Sequence, residues 1–166
     1  MLPPRWRPSS SRRLKPTSRS ASRGFMPKSE KASAGSVHSL FATRIYRAGT
    51  IVPVKLTNAI EALAMSLAVD DSAGLRWCEK HGYPGYTSYA SLNDLGWRFP
   101  EFARLTRAIE RHALAFARQL HWELRGLKPR VDSLWVNVMP EGGAHSSHIH
   151  PNAVLSGTFY VAVPPG

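Results

Sequence analysis

Two segments of the chain show helical periodicity in their apolar residues. Apolar positions recur every three or four residues over Leu56–Val69 and Pro100–Arg125, which predicts a helix in each. Pro100 suits the first turn of the second helix, and Gly126 can end it. The first helix is expected to end at the turn-forming residues Asp70, Asp71 and Gly74. The apolar stripe of the second comprises Phe102, Leu105, Ile109, Ala113, Phe116, Leu120 and Leu124.

Other segments have the chemistry of β-strands. β-Branched and aromatic residues predict strands over Val37–Tyr46, Val131–Met139 and Ala153–Val163. Residues 82–97, dense in Gly, Tyr, Ser and Asn, predict a loop. Helices precede most of the strands, so the order favours an α+β fold over alternating βαβ units.

The composition supports one folded domain. The chain has 166 residues, of which 43% are hydrophobic and 20% charged, and this excludes wholesale disorder and a collagen-like chain. No run approaches the roughly 18 apolar residues of a membrane span, so we do not expect a membrane protein. Cys78 is the single cysteine, which excludes a disulfide framework; we expect a buried, inert thiol.

The net charge of +11 is concentrated at one end. Residues 1–25 carry seven Arg or Lys and no acid, which leaves 15 basic and 11 acidic residues over 26–166. We therefore divide the chain into a basic Ser/Arg/Pro-rich extension over 1–36, expected to be disordered, and a domain over 37–166. Since the domain is only mildly basic, we do not expect nucleic acid as a partner.

Four interpretations of the basic extension stay open. It could be an organelle transit peptide, although its prolines oppose an amphipathic helix. It could be an arm for nucleic acid or another acidic surface, or a solvated extension. It could also precede the true start, because Met26 begins an ordinary N-terminal sequence. No apolar segment of a secretory signal follows the basic residues, so we expect a cytoplasmic protein.

A candidate metal site lies in GGAHSSHIHP, residues 142–151. His148 and His150 alternate, so on extended backbone both point to one face with Cβ atoms about 6.5 to 7 Å apart. Two such imidazoles can bind one ion. His145 is out of phase and is expected to face the other side. The competing interpretation is a polar loop that happens to contain histidines.

Several segments together resemble a known family. SLFATRIY, GYTSYASL, LWVNVM, GGAHSSHIHP and LSGTFYV are similar to Fe(II)/2-oxoglutarate-dependent oxygenases, over about Val37 to Gly166. The resemblance implies a double-stranded β-helix (jelly-roll) core flanked by helices, with His148 and His150 as iron ligands. It also implies 2-oxoglutarate as co-substrate, and hydroxylation coupled to its decarboxylation. It adds no catalytic residue beyond the metal ligands.

The sequence departs from the family pattern after the histidines. Such enzymes carry a further histidine ligand and a basic residue for 2-oxoglutarate on later strands, but no histidine follows His150 and no Arg or Lys follows Arg130. We therefore expect a chain truncated at its C-terminus, with half an iron site, no co-substrate anchor and no activity as it stands. An unpaired strand edge would favour a homodimer.

Three polar residues on the predicted strands are candidate substrate-binding groups. Asn137 shares the alternation of Trp135 and Met139, and Ser156 and Tyr160 share one face of the last strand. Each could contact co-substrate or substrate, or make a structural hydrogen bond instead. The substrate itself, a small molecule or a peptide, is not readable from these residues.

Two other functions compete with an oxygenase. Gly142, His148 and His150 match the opening of the cupin pattern, which predicts a metal or small-ligand module, but Val154 and Leu155 stand where that pattern needs a glutamate. The basic tail allows a nucleic-acid-binding protein whose affinity falls steeply with salt. No recognised nucleic-acid motif accompanies the charge.

Overall fold

The computed structural model describes residues 36–163, so expectations for 1–35 and 164–166 lie outside the described residues. The chain divides into two units, Met1–Ala42 and Thr43–Gly166. Residues 36–42 of the first unit form no helix or strand. The second unit contains four helices and two short strands among its described residues.

The predicted strand over Val37–Tyr46 is wrong. These residues form no strand, and the side chains of Val37, Phe41 and Ile45 are exposed. Apolar composition makes a strand only where a neighbouring strand supplies backbone partners, and no described segment pairs with this one. Tyr46 packs instead against the last long helix of its unit, where its hydroxyl lies 2.9 Å from Nδ1 of His112.

Helix α1, Val54–Asp70, confirms the first predicted helix. Its buried residues recur every three or four positions, as the apolar pattern over Leu56–Val69 predicts, since the 3.6-residue period brings them onto one face. The extended backbone of Pro53 precedes the first turn, and the N–H of Asp71 donates to Leu67 O at the C-terminal end. The buried side chains are Leu56, Ile60, Ala64 and Leu67.

Helix α2, Ser72–His81, was not predicted. Asp71 is its N-cap and accepts a hydrogen bond from the N–H of Gly74 at 3.0 Å. Gly74 lies inside α2 and does not end α1. The position requires glycine because a Cβ there would collide with the side chains of Asp71 and Ser91. Gly82, with φ +60, ends α2 in the left-handed conformation.

Two further helices follow the tyrosine-rich segment. Helix α3 is Leu95–Arg98, and helix α4 is Pro100–Gln119, with Pro100 in its first turn as predicted. Helix α4 ends at Gln119 rather than Arg125 because the backbone of His121 has φ +55, which no α-helix continues. Its buried residues are Phe102, Leu105, Ala108 and Ala117, and its exposed arginines are Arg104, Arg107, Arg111 and Arg118.

The sheet is much smaller than predicted. Strand β1, Tyr86–Thr87, pairs antiparallel with strand β2, Asn137–Val138. Only these two residues of the predicted strand Val131–Met139 form a ladder, and Ala153–Val163 forms none. Loop 82–97 is largely confirmed, although it contains β1 and the start of α3.

The mixture of helices with a small sheet agrees with an α+β fold. The two-stranded sheet does not confirm a jelly roll over the described residues, since that architecture needs about eight strands. The apolar residues of the last segment are partly buried against the helical core instead of lying in a ladder, as Phe159 and Val161 do.

The core is formed by buried side chains of α1, α2, α3, α4 and β1. Phe102, Ile60 and Leu95 are its largest fully buried apolar side chains. Cys78 is buried there, as predicted, and its sulfur accepts from the N–H of Thr87 at 3.3 Å, which joins α2 to β1. Among residues 36–163 no helix has the length and apolar character needed to cross a membrane.

Candidate metal centre

A tight turn carries the chain from β2 to the histidines. The N–H of Gly143 donates to Pro140 O at 3.0 Å, and Gly142 adopts φ +72, a conformation that favours glycine. Residues 144–150 then run without helix or strand. The histidines are therefore held by β2 at one end of the segment and by side-chain contacts along it.

Three imidazoles lie side by side on this segment, and we name His145, His148 and His150 the histidine row. The ring centroids of His148 and His150 are 4.7 Å apart, and those of His145 and His148 are 4.4 Å apart. His145 and His148 are exposed, and His150 is partly buried. The predicted pair is thus brought together, with a third imidazole next to it.

The expectation that His145 faces away from His148 is wrong. Alternation between two faces applies to extended strands, and residues 144–150 are not a strand. The irregular backbone turns the His145 ring to an edge contact with His148 at an interplanar angle of 81°.

A backbone carbonyl fixes the proton of His148. Nδ1 of His148 lies 2.9 Å from Ser146 O. A carbonyl oxygen only accepts, so Nδ1 must carry the proton and donate it. In the neutral ring, Nε2 then has a free lone pair, which is the form that binds a metal.

A second hydrogen-bond chain reaches His145 from outside the segment. The hydroxyl of Tyr83 donates to Oδ1 of Asn137 at 3.3 Å and lies 2.8 Å from Nδ1 of His145. Because the hydroxyl has one proton, Nδ1 of His145 is the donor in the second contact. Burial, with the nearby Cys78 thiol, raises the pKa of Tyr83, so the phenol stays neutral.

A series of aromatic side chains in contact connects the two ends of the histidine row. Trp135 stacks on His150, with centroids 5.9 Å apart at 29°, and Tyr89 meets Trp135 edge-on at 5.1 Å. Trp77 joins Tyr89 to Tyr83 at 6.4 Å each, and Tyr83 meets the ring of His145 at 5.5 Å. Sequence reasoning missed these partners; the density of tyrosines over 82–97 was the available signal.

The predicted substrate-binding residues lie in different places. Asn137 joins the histidine row through Tyr83. Ser156 and Tyr160 are exposed, and within residues 36–163 no hydrogen bond or ring contact links them to the row. Tyr160 and Phe159 line a separate cavity of about 330 Å³ beside Val52.

The centroid separation of His148 and His150 can be compared with that of two imidazoles bound to one ion. With a nitrogen about 2.1 Å from an ion, each ring centroid lies about 3.2 Å from it, and two imidazoles whose bonds to the ion make an angle of about 90° have centroids about 4.5 Å apart. The 4.7 Å between His148 and His150 is close to this value, and it is also an ordinary separation for the edge-to-face contact that the two rings make at 67°. Over residues 36–163, however, no group of three or more His, Cys, Asp or Glu is arranged as a complete metal site.

A group for 2-oxoglutarate is not identified in the described part of the chain. The ion pairs there join Arg98 to Asp94, Arg125 to Glu123 and Arg130 to Glu110, and none involves the histidine row. The carboxylates nearest in sequence, Asp132 and Glu141, make no described hydrogen bond or ion pair with the row either.

Comparison with known proteins gives one match. A family described as "Putative 2OG-Fe(II) oxygenase" matches residues 133–166, which are 34 of the 166 residues. The matched segment contains β2, the histidine row and Asn137. No curated protein matches the sequence. The match supports the oxygenase family for this segment.

Proposed function

We propose that the chain is an Fe(II)/2-oxoglutarate-dependent oxygenase whose iron is bound by His148 and His150. The observation that carries the proposal is the pair of imidazoles with centroids 4.7 Å apart, inside the segment that matches the oxygenase family. Bound iron, with dioxygen as the oxidant and 2-oxoglutarate as the co-substrate that is decarboxylated, would supply the oxidising chemistry, typically hydroxylation of a small molecule or peptide.

The residues around the pair prepare it for a metal. The carbonyl of Ser146 holds the proton of His148 on Nδ1, so that Nε2 is free to bind. Such outer hydrogen bonds are typical of metal-binding histidines. Trp135 stacks on His150 and restricts the orientation of its ring. The alternative, a polar loop that happens to contain histidines, gives no reason for either arrangement.

The finer assignments belong to the same proposal. Asn137, Ser156 and Tyr160 would contact substrate or co-substrate, and the exposure of Ser156 and Tyr160 leaves their hydroxyls accessible. The jelly-roll core would be built around the antiparallel pair of β1 and β2. Strand β2 precedes the histidine row along the chain.

The test is an anaerobic titration of the full chain with Fe(II), in which isothermal titration calorimetry measures the binding. We expect one ion per chain. Replacing one ligand leaves the ion short of a donor, so H148A and H150A should each weaken binding by about 100-fold or more, beyond the 10- to 100-fold typical of outer-shell changes.

His38→Ala is the matched control, because His38 is exposed in residues 36–42 and its neighbour is Ser36. It should bind iron like the unmodified chain. Circular dichroism should show unchanged helix content in all three variants. Iron affinity that H148A and H150A leave unaltered would overturn the proposal.

A further inference from the structure

We infer that a cavity between α3, α4 and residues 130–134 binds an aromatic α-amino acid. The cavity has a volume of about 300 Å³, which is within the range of small-molecule sites. This inference goes beyond the proposed function, because among the described residues no lining residue of the cavity is a hydrogen-bond or ring partner of the histidine row.

The walls of this cavity are fixed without a ligand. The N–H of Leu95, the first residue of α3, donates to Leu134 O at 3.2 Å. On α4, Glu110 accepts from the N–H of Val131 at 3.3 Å and pairs with Arg130. These bonds join both helices to residues 130–134, so the cavity is preformed, as ligand sites usually are.

The first observation that indicates a ligand is an unpaired hydroxyl. Thr106 lines the cavity, and its Oγ1 is buried with no hydrogen-bond partner among residues 36–163. Buried hydroxyls ordinarily have a partner, since a missing one costs free energy. A Cβ at Gly96 would lie 2.6 Å from this oxygen, so a larger residue there would displace the hydroxyl. A ligand N–H or O–H would supply the missing partner.

The second observation is an exposed indole at the same cavity. Trp97 of α3 lines the cavity and is 86% exposed, although tryptophan is highly buried on average. A second ring packed against the indole would remove apolar surface of both from water. The apolar lining is continued by Ala103, Val131 and Leu134. This surface favours a ligand with a flat ring.

The third observation is a pair of opposite charges. Arg107 and Asp132 are exposed and line the cavity, and neither takes part in an ion pair within the described part of the chain. A guanidinium binds a carboxylate, and a carboxylate binds an ammonium group. An α-amino acid carries both groups on one carbon. The other charged lining residues are already paired, Asp94 with Arg98 and Glu110 with Arg130.

These observations together describe an amino acid whose ring carries an N–H or O–H. Its ring would pack on Trp97, with the ring N–H or O–H at Thr106. Its carboxylate would bind Arg107 and its ammonium group Asp132. L-Tryptophan has all of these features and is therefore the probe.

The experiment is isothermal titration calorimetry of the full chain with L-tryptophan, with no metal added. We expect saturable binding of one molecule per chain. Indole-3-propionate lacks the ammonium group and tryptamine lacks the carboxylate, so each should bind about tenfold more weakly, as for the loss of a charged hydrogen bond. Tryptamine that binds as tightly as L-tryptophan would overturn the amino-acid assignment.

Variants assign each contact. Arg107→Gln should weaken L-tryptophan binding by about tenfold and leave tryptamine binding unchanged. Arg118→Gln is the matched control, because Arg118 is an exposed arginine of α4 outside the cavity lining, and it should bind like the unmodified chain. Thr106→Val should lower the affinity by about fivefold with no loss of thermal stability, since it removes an unsatisfied polar group.

The outcomes separate this inference from the proposed function. No saturable binding of L-tryptophan to the unmodified chain would overturn the inference, and so would an affinity that R107Q and T106V leave unaltered. Because the titration contains no metal, either result leaves the iron pair as it stands. His148→Ala should not change the affinity for L-tryptophan, and a large loss in that variant would contradict a separate site.

Discussion

The hydroxyl of Tyr83 lies 2.8 Å from Nδ1 of His145, although 62 positions separate the two residues. Tyr83 follows directly after the left-handed cap of α2, and its N–H donates to Cys78 O at 2.9 Å. The end of a helix thus fixes a side chain that holds one imidazole of the histidine row. This contact ties the candidate site to the helical core.

Tyr83→Phe should weaken metal binding while the protein stays folded. The ring keeps its packing against Trp77, but the hydroxyl that orients His145 is lost. His145 packs edge-on against His148, so the loss affects a proposed ligand only indirectly, and the affinity should fall by about tenfold, the lower end of the range for outer-shell changes. Calorimetric titration with Co(II) measures the change.

Tyr46→Phe is the matched control for this prediction. It removes a hydroxyl 2.9 Å from Nδ1 of His112, an equivalent bond outside the histidine row. Its Co(II) affinity should equal that of the unmodified chain. Equal affinities in both variants would mean that Tyr83 has no role at the metal.

Asp71→Ala should destabilise the fold. The Asp71 carboxylate caps α2 through the N–H of Gly74 and also accepts from the hydroxyls of Tyr86, at 2.8 Å, and Ser91. Loss of a cap together with these bonds should cost about 1 to 3 kcal/mol in the free energy of unfolding. Urea denaturation measures it. Asp71→Asn, which keeps the capping oxygen, should lose less; equal losses would contradict the capping role.

The contribution of Asp71 should depend on acidity. Burial acts to raise the pKa of Asp71, but hydrogen bonds from Ser91, Gly74 and Tyr86 outweigh it and hold the pKa below the ordinary value of 3.8. The carboxylate therefore stabilises the fold above about pH 3.8, and this stability is lost as the pH falls through the lower pKa of the folded state. The free energy of unfolding of wild type and of D71N should be measured from pH 6 down to about pH 2. The difference between the two proteins should become smaller as the pH falls. A difference that stays constant with pH would contradict the lowered pKa of Asp71.

Gly85→Ala should disrupt the sheet. Gly85 has φ +130, and a Cβ there would lie 2.5 Å from Val138 O of β2. The strain of about 1 to 3 kcal/mol should loosen the pairing of Tyr86 with Val138 and lower the stability of the fold. Gly49→Ala, where a Cβ meets nothing within 4 Å, is the control. Thermal unfolding compares the two, and similar midpoints would contradict the prediction.

The helices show which features the sequence could predict. The apolar stripe of α1 and the position of Pro100 follow from local periodicity and backbone chemistry, and both are confirmed. Helix α2 was missed because Gly74 looked like a terminator. Its glycine is required by the side chains of Asp71 and Ser91, and this tertiary contact has no local sequence signal.

The candidate site also combines features that the sequence predicts with features that only the folded chain shows. Strand alternation predicted that His148 and His150 lie together and that His145 faces away, but residues 144–150 are not a strand, so the contacts of all three rings depend on an irregular backbone. The partners Tyr83 and Trp135 come from distant positions, so only the folded chain places them beside the histidines. Ala153–Val163 likewise has the composition of a strand, but such a segment forms one only beside a pairing strand, and among residues 36–163 none pairs with it.

The most direct test of the central claim is nitrogen NMR of the full chain with ¹⁵N-labelled histidine, before and after one equivalent of Zn(II), a diamagnetic ion that binds the same nitrogens. Coordination should shift Nε2 of both His148 and His150, while His38 and His112 keep their resonances. Shifts at other histidines with His148 and His150 unmoved, or no shift at any histidine, would contradict the account.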